Sequence, residues 1–362
     1  MKIFYNNNFV PGSYKIIFIL IILFSCLNLQ AQNYPLVKAQ KSDGIYSLLR
    51  RNGLEPTKYI KEFISLNKSK LGKNNSLYIG RSYRLPIAGS KVAGNKTSVS
   101  KVISNKQVTK GNSSKTIVYT LFGRKYQTVT IKDHKLKGAI YYLVGGHGGP
   151  DPGAMGKLNG HVLCEDEYAY DVVLRMARCL MEHDAKVYMI IKDLYDGIRD
   201  KPYLVQDKTE ICYPHERIPL NHLARLKQRV AIVNKLYLKN KGTYQRMLVV
   251  HVDSRSKKEN IDVFFYHDKR SKTGKKMAET MKNVFQNKYD YYQPNRGYSG
   301  NVSSRNLYVL KHSFPTAVFM EIANINHLHD LQRLIIVSNR EALAEWMTDG
   351  ILMDYKNCHT QK

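Results

Sequence analysis

The stretch that most constrains this chain is Gly138-Ala139-Ile140-Tyr141-Tyr142-Leu143-Val144 together with the glycine-rich loop it feeds, Gly145-Gly146-His147-Gly148-Gly149-Pro150-Asp151-Pro152-Gly153. A short continuous apolar run, rich in β-branched and aromatic residues and bounded by breakers, predicts a buried strand. Two glycines on each side of His147 let the backbone turn sharply and leave the imidazole uncovered. In a parallel α/β sheet, sites form beyond the carboxyl ends of the strands, and His147 falls at such an end.

The chain downstream alternates strand and helix patterns. Glu165 to His183 reads as a helix with Val172, Val173, Met176, Ala177 and Leu180 on one stripe, and Lys186 to Ile191 as the next strand. Helices near 220–238, 275–285 and 339–351 separate strands at 247–250, 262–266 and 316–320. The alternation predicts an α/β domain with a mainly parallel sheet flanked by helices. Alternating apolar residues from Ile117 to Ile131, around Phe122-Gly123-Arg124, predict a β-hairpin leading into that domain, which spans 116–356.

Upstream lie three segments of different character. Residues 1–31 carry Lys2 and Lys15, an almost wholly apolar run from Ile16 to Leu27, and Leu29-Gln30-Ala31 at the expected cleavage point, the pattern of a secretory signal peptide. The run is too short for a comfortable membrane span, so no stable membrane insertion is expected after its removal. Leu23-Phe24-Ser25-Cys26 loosely resembles a lipoprotein processing site, which keeps lipidation as an alternative. Residues 34–86 read as a compact strand, helix, helix, strand unit, with Ser42-Asp43 capping the first helix and Gly53 stopping it. Residues 87–115 are Lys, Ser, Asn, Gly and Thr with hardly a large apolar side chain, a basic flexible linker.

The formal net charge of +28 calls for an anionic partner. The positive residues are scattered and form no helix-turn-helix or RNA-binding signature, so an exported chain of this kind points to a cell-wall polymer rather than nucleic acid. Cys164, Cys179, Cys212 and Cys358 remain after the signal, too few for a disulfide scaffold. Cys164 and Cys179 lie about 22 Å apart if Glu165 to His183 is one helix, beyond bridging reach.

Site residues gather at strand ends. His147 follows the first strand, His251 follows Met247 to Val250, Glu321 follows Ala317 to Met320, and Glu165 opens the first long helix. Two imidazoles and a carboxylate, with a fourth position open for water, form a known catalytic zinc set. A second carboxylate off the metal suits a general base, and Glu321 is placed for it.

Several stretches, in order, resemble the zinc-dependent N-acetylmuramoyl-L-alanine amidases: "GGHGGPDPGAMG" (145–156), "EDEYAYDVVLRMA" (165–177), "LVVHVDSR" (248–255), "NLYVLKHSFPTAVFMEIANINH" (306–327) and "AEWMTDGI" (344–351). The resemblance implies hydrolysis of the amide between N-acetylmuramic acid and the L-alanine of the stem peptide in peptidoglycan. It also implies zinc held by His147, Glu165 and His251, with Glu321 as the catalytic carboxylate. Glu167 is the alternative ligand; it lies about 200° around the helix from Glu165, so the two cannot face one metal equally. Asp151 is a candidate to orient the His147 loop.

The unit at 34–86, with "SLN" and "YIGRSYRLP", resembles a LysM domain, which binds N-acetylglucosamine-containing glycans. The implied partner is therefore peptidoglycan, both glycan strands and stem peptides, and the implied location is secreted or periplasmic, at the cell wall. A protein activator stays open.

The chain departs from the amidase pattern at Asp253, Asn324 and His327, and in a long insert from Asp193 to about His222. That insert reads either as a lid or stem-peptide groove or as a solvated loop. A wall-binding protein that keeps the fold without turnover is the other reading of the whole chain.

Overall fold

The structure is a computed structural model that describes residues 34–40, 43–52, 54, 56–72, 75–87 and 115–360. The expected signal peptide (1–31), Ser42, Gly53 and nearly all of the expected linker lie outside the described residues.

The small N-terminal unit runs β1 (Leu36–Lys38), α1 (Ile45–Arg51), α2 (Pro56–Asn67) and β2 (Ser82–Arg84), with β1 and β2 antiparallel. Leu48, Leu49, Phe63 and Tyr83 are fully buried in a core of its own, against which Tyr292 of the larger domain also packs. Asn67 stitches the unit together, its Nδ2 donating to the carbonyl oxygens of Phe63 and Arg84, each at 2.8 Å. Gly44 presses on the larger domain so closely that a Cβ there would meet Ser338 Oγ at 2.2 Å. Lys61 reaches over the Tyr291 ring, 4.7 Å from its centroid.

The larger domain begins with β3 (Thr116–Val118) and β4 (Thr128–Thr130), an antiparallel pair. It continues through β5 (Ile140–Gly145), β6 (Met155–Leu158), β7 (His161–Cys164), α3 (Glu165–Glu182), β8 (Lys186–Met189) and β9 (Ile191–Lys192). Next come β10 (Ile211–Cys212), β11 (Glu216–Arg217), α4 (His222–Lys239), β12 (Gln245–Asp253), β13 (Phe264–His267) and α5 (Lys272–Tyr292). The domain closes with β14 (Val302–Ser304), α6 (Tyr308–His312), β15 (Thr316–Asn324), α7 (Leu328–Ile335) and α8 (Val337–His359).

Six strands form the central sheet in the order β14-β13-β15-β12-β5-β8. β8, β5, β12 and β15 are mutually parallel, and β13 pairs antiparallel to β15 and parallel to β14, which forms the far edge. This is the α/β fold with a mainly parallel sheet that the alternating patterns predict.

Side chains divide strictly by strand period. Tyr141, Leu143, Leu248, Val250, Val318 and Met320 enter the layer under α3, α5 and α8. Their neighbours Tyr142, Val144, Met247, Val249, Ala317 and Phe319 enter the layer under α4 and α6. Burial on both faces is why these strands read as continuous apolar runs. Among the described residues no helix is long and apolar enough to cross a membrane and no disulfide forms; Cys164, Cys179 and Cys212 are buried.

The elements differ from the sequence reading mainly at their ends. His251 and Glu321 are not beyond strands but inside them, since β12 runs to Asp253 and β15 to Asn324. Tyr289 to Tyr292 form the last turn of α5. The insert is not a solvated loop. β10 pairs with both β9 and β11, Leu204 and Cys212 are buried, and the Tyr168 hydroxyl donates to the Pro202 carbonyl oxygen at 2.9 Å.

Candidate functional site

β5 delivers the chain to Gly146, whose N–H donates to the Val250 carbonyl oxygen at 2.8 Å. The loop then folds back, with Gly148 N–H donating to the Asp151 carbonyl oxygen at 2.8 Å. His147 sits between at φ 57°, a conformation that costs a non-glycine residue on the order of 1 kcal/mol and is tolerated where the surroundings hold it. Arg229, buried on α4, donates to the His147 carbonyl oxygen. His147 Nδ1 lies 2.8 Å from Asp151 Oδ2, which also accepts from Arg225 Nη2 at 2.6 Å. The His147 hydrogen bond is the main reason the Asp151 carboxyl stays well below its ordinary range. As a carboxylate, Asp151 fixes a proton on Nδ1 and turns the Nε2 lone pair inward.

Nε2 faces Glu165 Oε2 at 3.3 Å. Glu165 is the first residue of α3, and backbone donors hold both of its oxygens: Ala154 N–H on Oε2 at 2.8 Å and Val252 N–H on Oε1 at 2.9 Å. His251 Nδ1 lies 2.7 Å from Oε1. Burial alone would raise the Glu165 carboxyl, but the His251 hydrogen bond and the two imidazoles bring it below its ordinary value. Burial lowers His251, which favours the neutral ring with a lone pair to give. Donor atoms of His147, Glu165 and His251 thus lie within 4.8 Å of one another.

Two glycines make the cluster possible. A Cβ on Gly146 would lie 2.6 Å from the His251 ring, and one on Gly153 (φ +70°) would lie 2.6 Å from Glu165 Oε2.

Glu321 stands beside this group. Its Cα is the parallel-register partner of His251. The side chain is 7% exposed, and its Oε2 is buried with no hydrogen-bond partner. Burial, reinforced by the charges of Glu165 and Asp253, pushes its pKa well above the carboxylate range against the pull of Arg305 and Arg255.

Residues 142–353, more than half of the chain, match the N-acetylmuramoyl-L-alanine amidase family. The chain belongs to that family. It is accordingly a peptidoglycan hydrolase by family. Among solved structures, it is similar to an N-acetylmuramoyl-L-alanine amidase from Clostridium difficile 630, with 18% identity, 59% of this chain and 95% of that chain covered, and a TM-score of 0.44. The amidase AmiC2 of Nostoc punctiforme matches at 19% identity over 63% of this chain and 99% of that one, TM-score 0.44. The apo form of the amidase Ami1 from Mycobacterium abscessus matches at 14% identity over 60% and 99%, TM-score 0.44. No curated protein matches the sequence.

Within this amidase family member, the structure brings His147, Glu165 and His251 together, with Glu321 alongside. Glu167 points elsewhere, into an ion pair with Arg199 Nη1 at 2.6 Å. Sequence reasoning missed Arg225 and Arg229, which hold the His147 loop from α4. It also missed an acidic group around Asp166, Glu167 and Glu210, whose donor atoms lie within 4.8 Å of one another. Burial and the neighbouring carboxylates push Asp166 up to about 9, and burial pushes Glu210 up to about 7. The missed signal was six acidic residues in the 193–222 insert of a strongly basic chain, Asp193, Asp196, Asp207 and Glu210 among them.

Proposed function

We propose that the chain is a secreted, zinc-dependent amidase that cleaves the bond between N-acetylmuramic acid and the L-alanine of the stem peptide. The observation that carries the reading is the convergence of His147, Glu165 and His251 at the carboxyl ends of parallel strands, beside a buried carboxyl with an unpaired oxygen. Two imidazoles and one carboxylate match the donor set of hydrolytic zinc. Zinc, when bound there, lowers the pKa of water and polarises a carbonyl.

The remaining work falls to side chains. Asp151 holds His147 in the tautomer that presents Nε2, and the backbone donors from Ala154 and Val252 keep the Glu165 carboxylate from rotating. Glu321 takes the proton of the attacking water on its unpaired Oε2 and returns it to the departing L-alanine amine. We assign the strand, helix, helix, strand unit at 34–86 to glycan binding as a LysM-like domain, and residues 1–31 to export. Tethering a binder to the hydrolase raises the local concentration of wall material at the site.

The test is mass spectrometry of products released from purified peptidoglycan, with zinc and after chelation. Peptide-free glycan and stem peptides bearing a free L-alanine amine, lost on chelation, are expected. Intact muropeptides from folded, zinc-loaded protein would return the chain to the wall-binding reading. A second expectation concerns Gly146→Ala. Its methyl would displace the His251 ring, so zinc retention on dialysis should fall at least tenfold while the fold persists; unchanged metal content would remove His251 from the ligand set.

A further inference from the structure

Asp166, Glu167, Asp193, Asp196, Asp207 and Glu210 crowd one end of α3 and the insert, in a chain with only 29 acidic residues against 57 basic ones. Asp166, Glu167, Asp193 and Glu210 are each at most 5% exposed. Among the described residues, the ion pairs of this cluster run to Arg199, which meets Glu167 and Asp196.

The carboxylates form two overlapping donor groups, Asp166 with Glu167 and Glu210, and Asp193 with Asp207 and Glu210, in each of which the donor atoms lie within 4.8 Å. Two oxygens on opposite sides of one calcium ion are separated by about that distance, since each sits roughly 2.3–2.6 Å from the ion.

A separate observation points to a ligand. Asp166 is 1% exposed, its Oδ1 accepts from Glu167 N–H at 2.9 Å, and its Oδ2 is buried with no partner at all. An unpartnered carboxylate oxygen in such a setting is strongly disfavoured unless a cation or proton meets it.

The other carboxylates are already oriented. Glu167 Oε1 accepts from Asp207 N–H at 2.8 Å, and Asp193 Oδ1 accepts from Tyr195 N–H at 2.6 Å and Asp196 N–H at 2.9 Å. Glu210 Oε2 accepts from Gly149 N–H at 2.7 Å, which connects the cluster to the loop that carries His147.

We propose that a hard divalent cation of the calcium class binds between Asp166, Glu167 and Glu210, with Asp193 and Asp207 at its rim, and fastens the 193–222 insert to the His147 loop. All-oxygen donors select calcium or magnesium over zinc. The irregular, crowded carboxylates suit the flexible coordination of calcium better than the octahedron of magnesium. The insert then acts as a buttress that the ion braces in addition to its contacts with α3.

Calorimetric titration of the full-length, zinc-loaded protein with calcium chloride tests this directly. One equivalent is expected to bind with Kd at or below ~10⁻⁴ M, within the range of calcium modules. Thermal unfolding should shift upward with calcium and saturate. Glu210→Gln should weaken binding at least tenfold, and Asp166→Asn likewise. Asp207→Asn, which removes a carboxylate nearer the surface, provides the same readout should Asp166→Asn fail to fold.

His251→Ala should leave calcium affinity unchanged, so the result stands apart from the zinc reading. Absence of heat and of any thermal shift at ~5 mM calcium, well above the weakest calcium modules, would overturn the proposal. So would unaltered affinity in a folded Glu210→Gln, or magnesium binding as tightly as calcium.

Discussion

Glu321→Gln is expected to lower amide hydrolysis by about 10²–10⁴-fold while zinc content and folding are retained. Glutamine keeps the shape of the side chain but can neither take the proton of water nor return it to the amine. The variant should not be less stable than the parent, because burial already disfavours the charged form of Glu321. Released stem peptide, zinc by metal analysis, and the unfolding midpoint are the three readouts. Activity within threefold of the parent would show that another group moves the proton. Loss of zinc would instead place Glu321 among the ligands.

The largest expected loss of stability comes from Asp171→Asn. Asp171 is fully buried on α3, and its Oδ2 meets Arg175 Nε at 2.9 Å and Arg340 Nε at 2.7 Å. Its Oδ1 accepts from Arg199 N–H at 2.8 Å, while Arg340 Nη2 donates to the Arg199 and Lys201 carbonyl oxygens at 2.9 and 2.8 Å. One carboxylate therefore fixes α3, α8 and the start of the insert.

Removing its charge leaves two buried guanidinium groups facing a neutral amide, a change that costs about 3–5 kcal/mol. Burial would raise the Asp171 carboxyl, but Arg175 and Arg340 hold it well below its ordinary range. The sign follows. The contribution is complete above the unfolded pKa of about 3.9 and is lost as pH falls through the lower folded value. The gap between parent and variant in urea unfolding should be widest near neutrality and narrow in strong acid. A gap under 1 kcal/mol at pH 7 would mean that Arg175 and Arg340 find other partners, with Glu341 Oε1, 3.1 Å from Arg175 Nη1, the nearest candidate.

The sheet was legible in the sequence because its strands are covered on both faces, which turns Ile140 to Val144 and Ala317 to Met320 into unbroken apolar runs. The same signal placed the strand ends too early. His251 and Glu321 interrupt the apolar pattern yet continue the hydrogen-bonded ladder, paired to each other across β12 and β15. Polar residues inside a strand look like its end when the only cue is hydrophobicity.

His147 and Glu165 were legible from glycine spacing and from an acidic helix start. The means of orienting them was not, since Arg225 and Arg229 reach the loop from α4, more than seventy residues away. The insert was opaque for a related reason. Its order rests on Tyr168, Asp171 and Glu167 of α3 and on short pairings with β9, none of which carries a periodic signature. The hairpin of β6 and β7 also escaped the sequence reading, since Met155, Val162 and their neighbours alternate over only four residues a side.

The small N-terminal unit meets the larger domain at Ser338, Tyr291 and Tyr292. Ser338 opens α8 soon after β15 has emerged, and Tyr291 and Tyr292 close α5, which climbs from beside Thr316 at the opposite end of the sheet. Both contact points therefore lie at the end of the sheet where His251 and Glu321 sit. On the proposed reading the two activities share a rim, and the chain works as a caliper. A glycan gripped by the first unit would meet the second at an interval set by the fixed contacts at Ser338, Tyr291 and Tyr292, so cuts should fall at a preferred distance from the grip rather than at random along the strand.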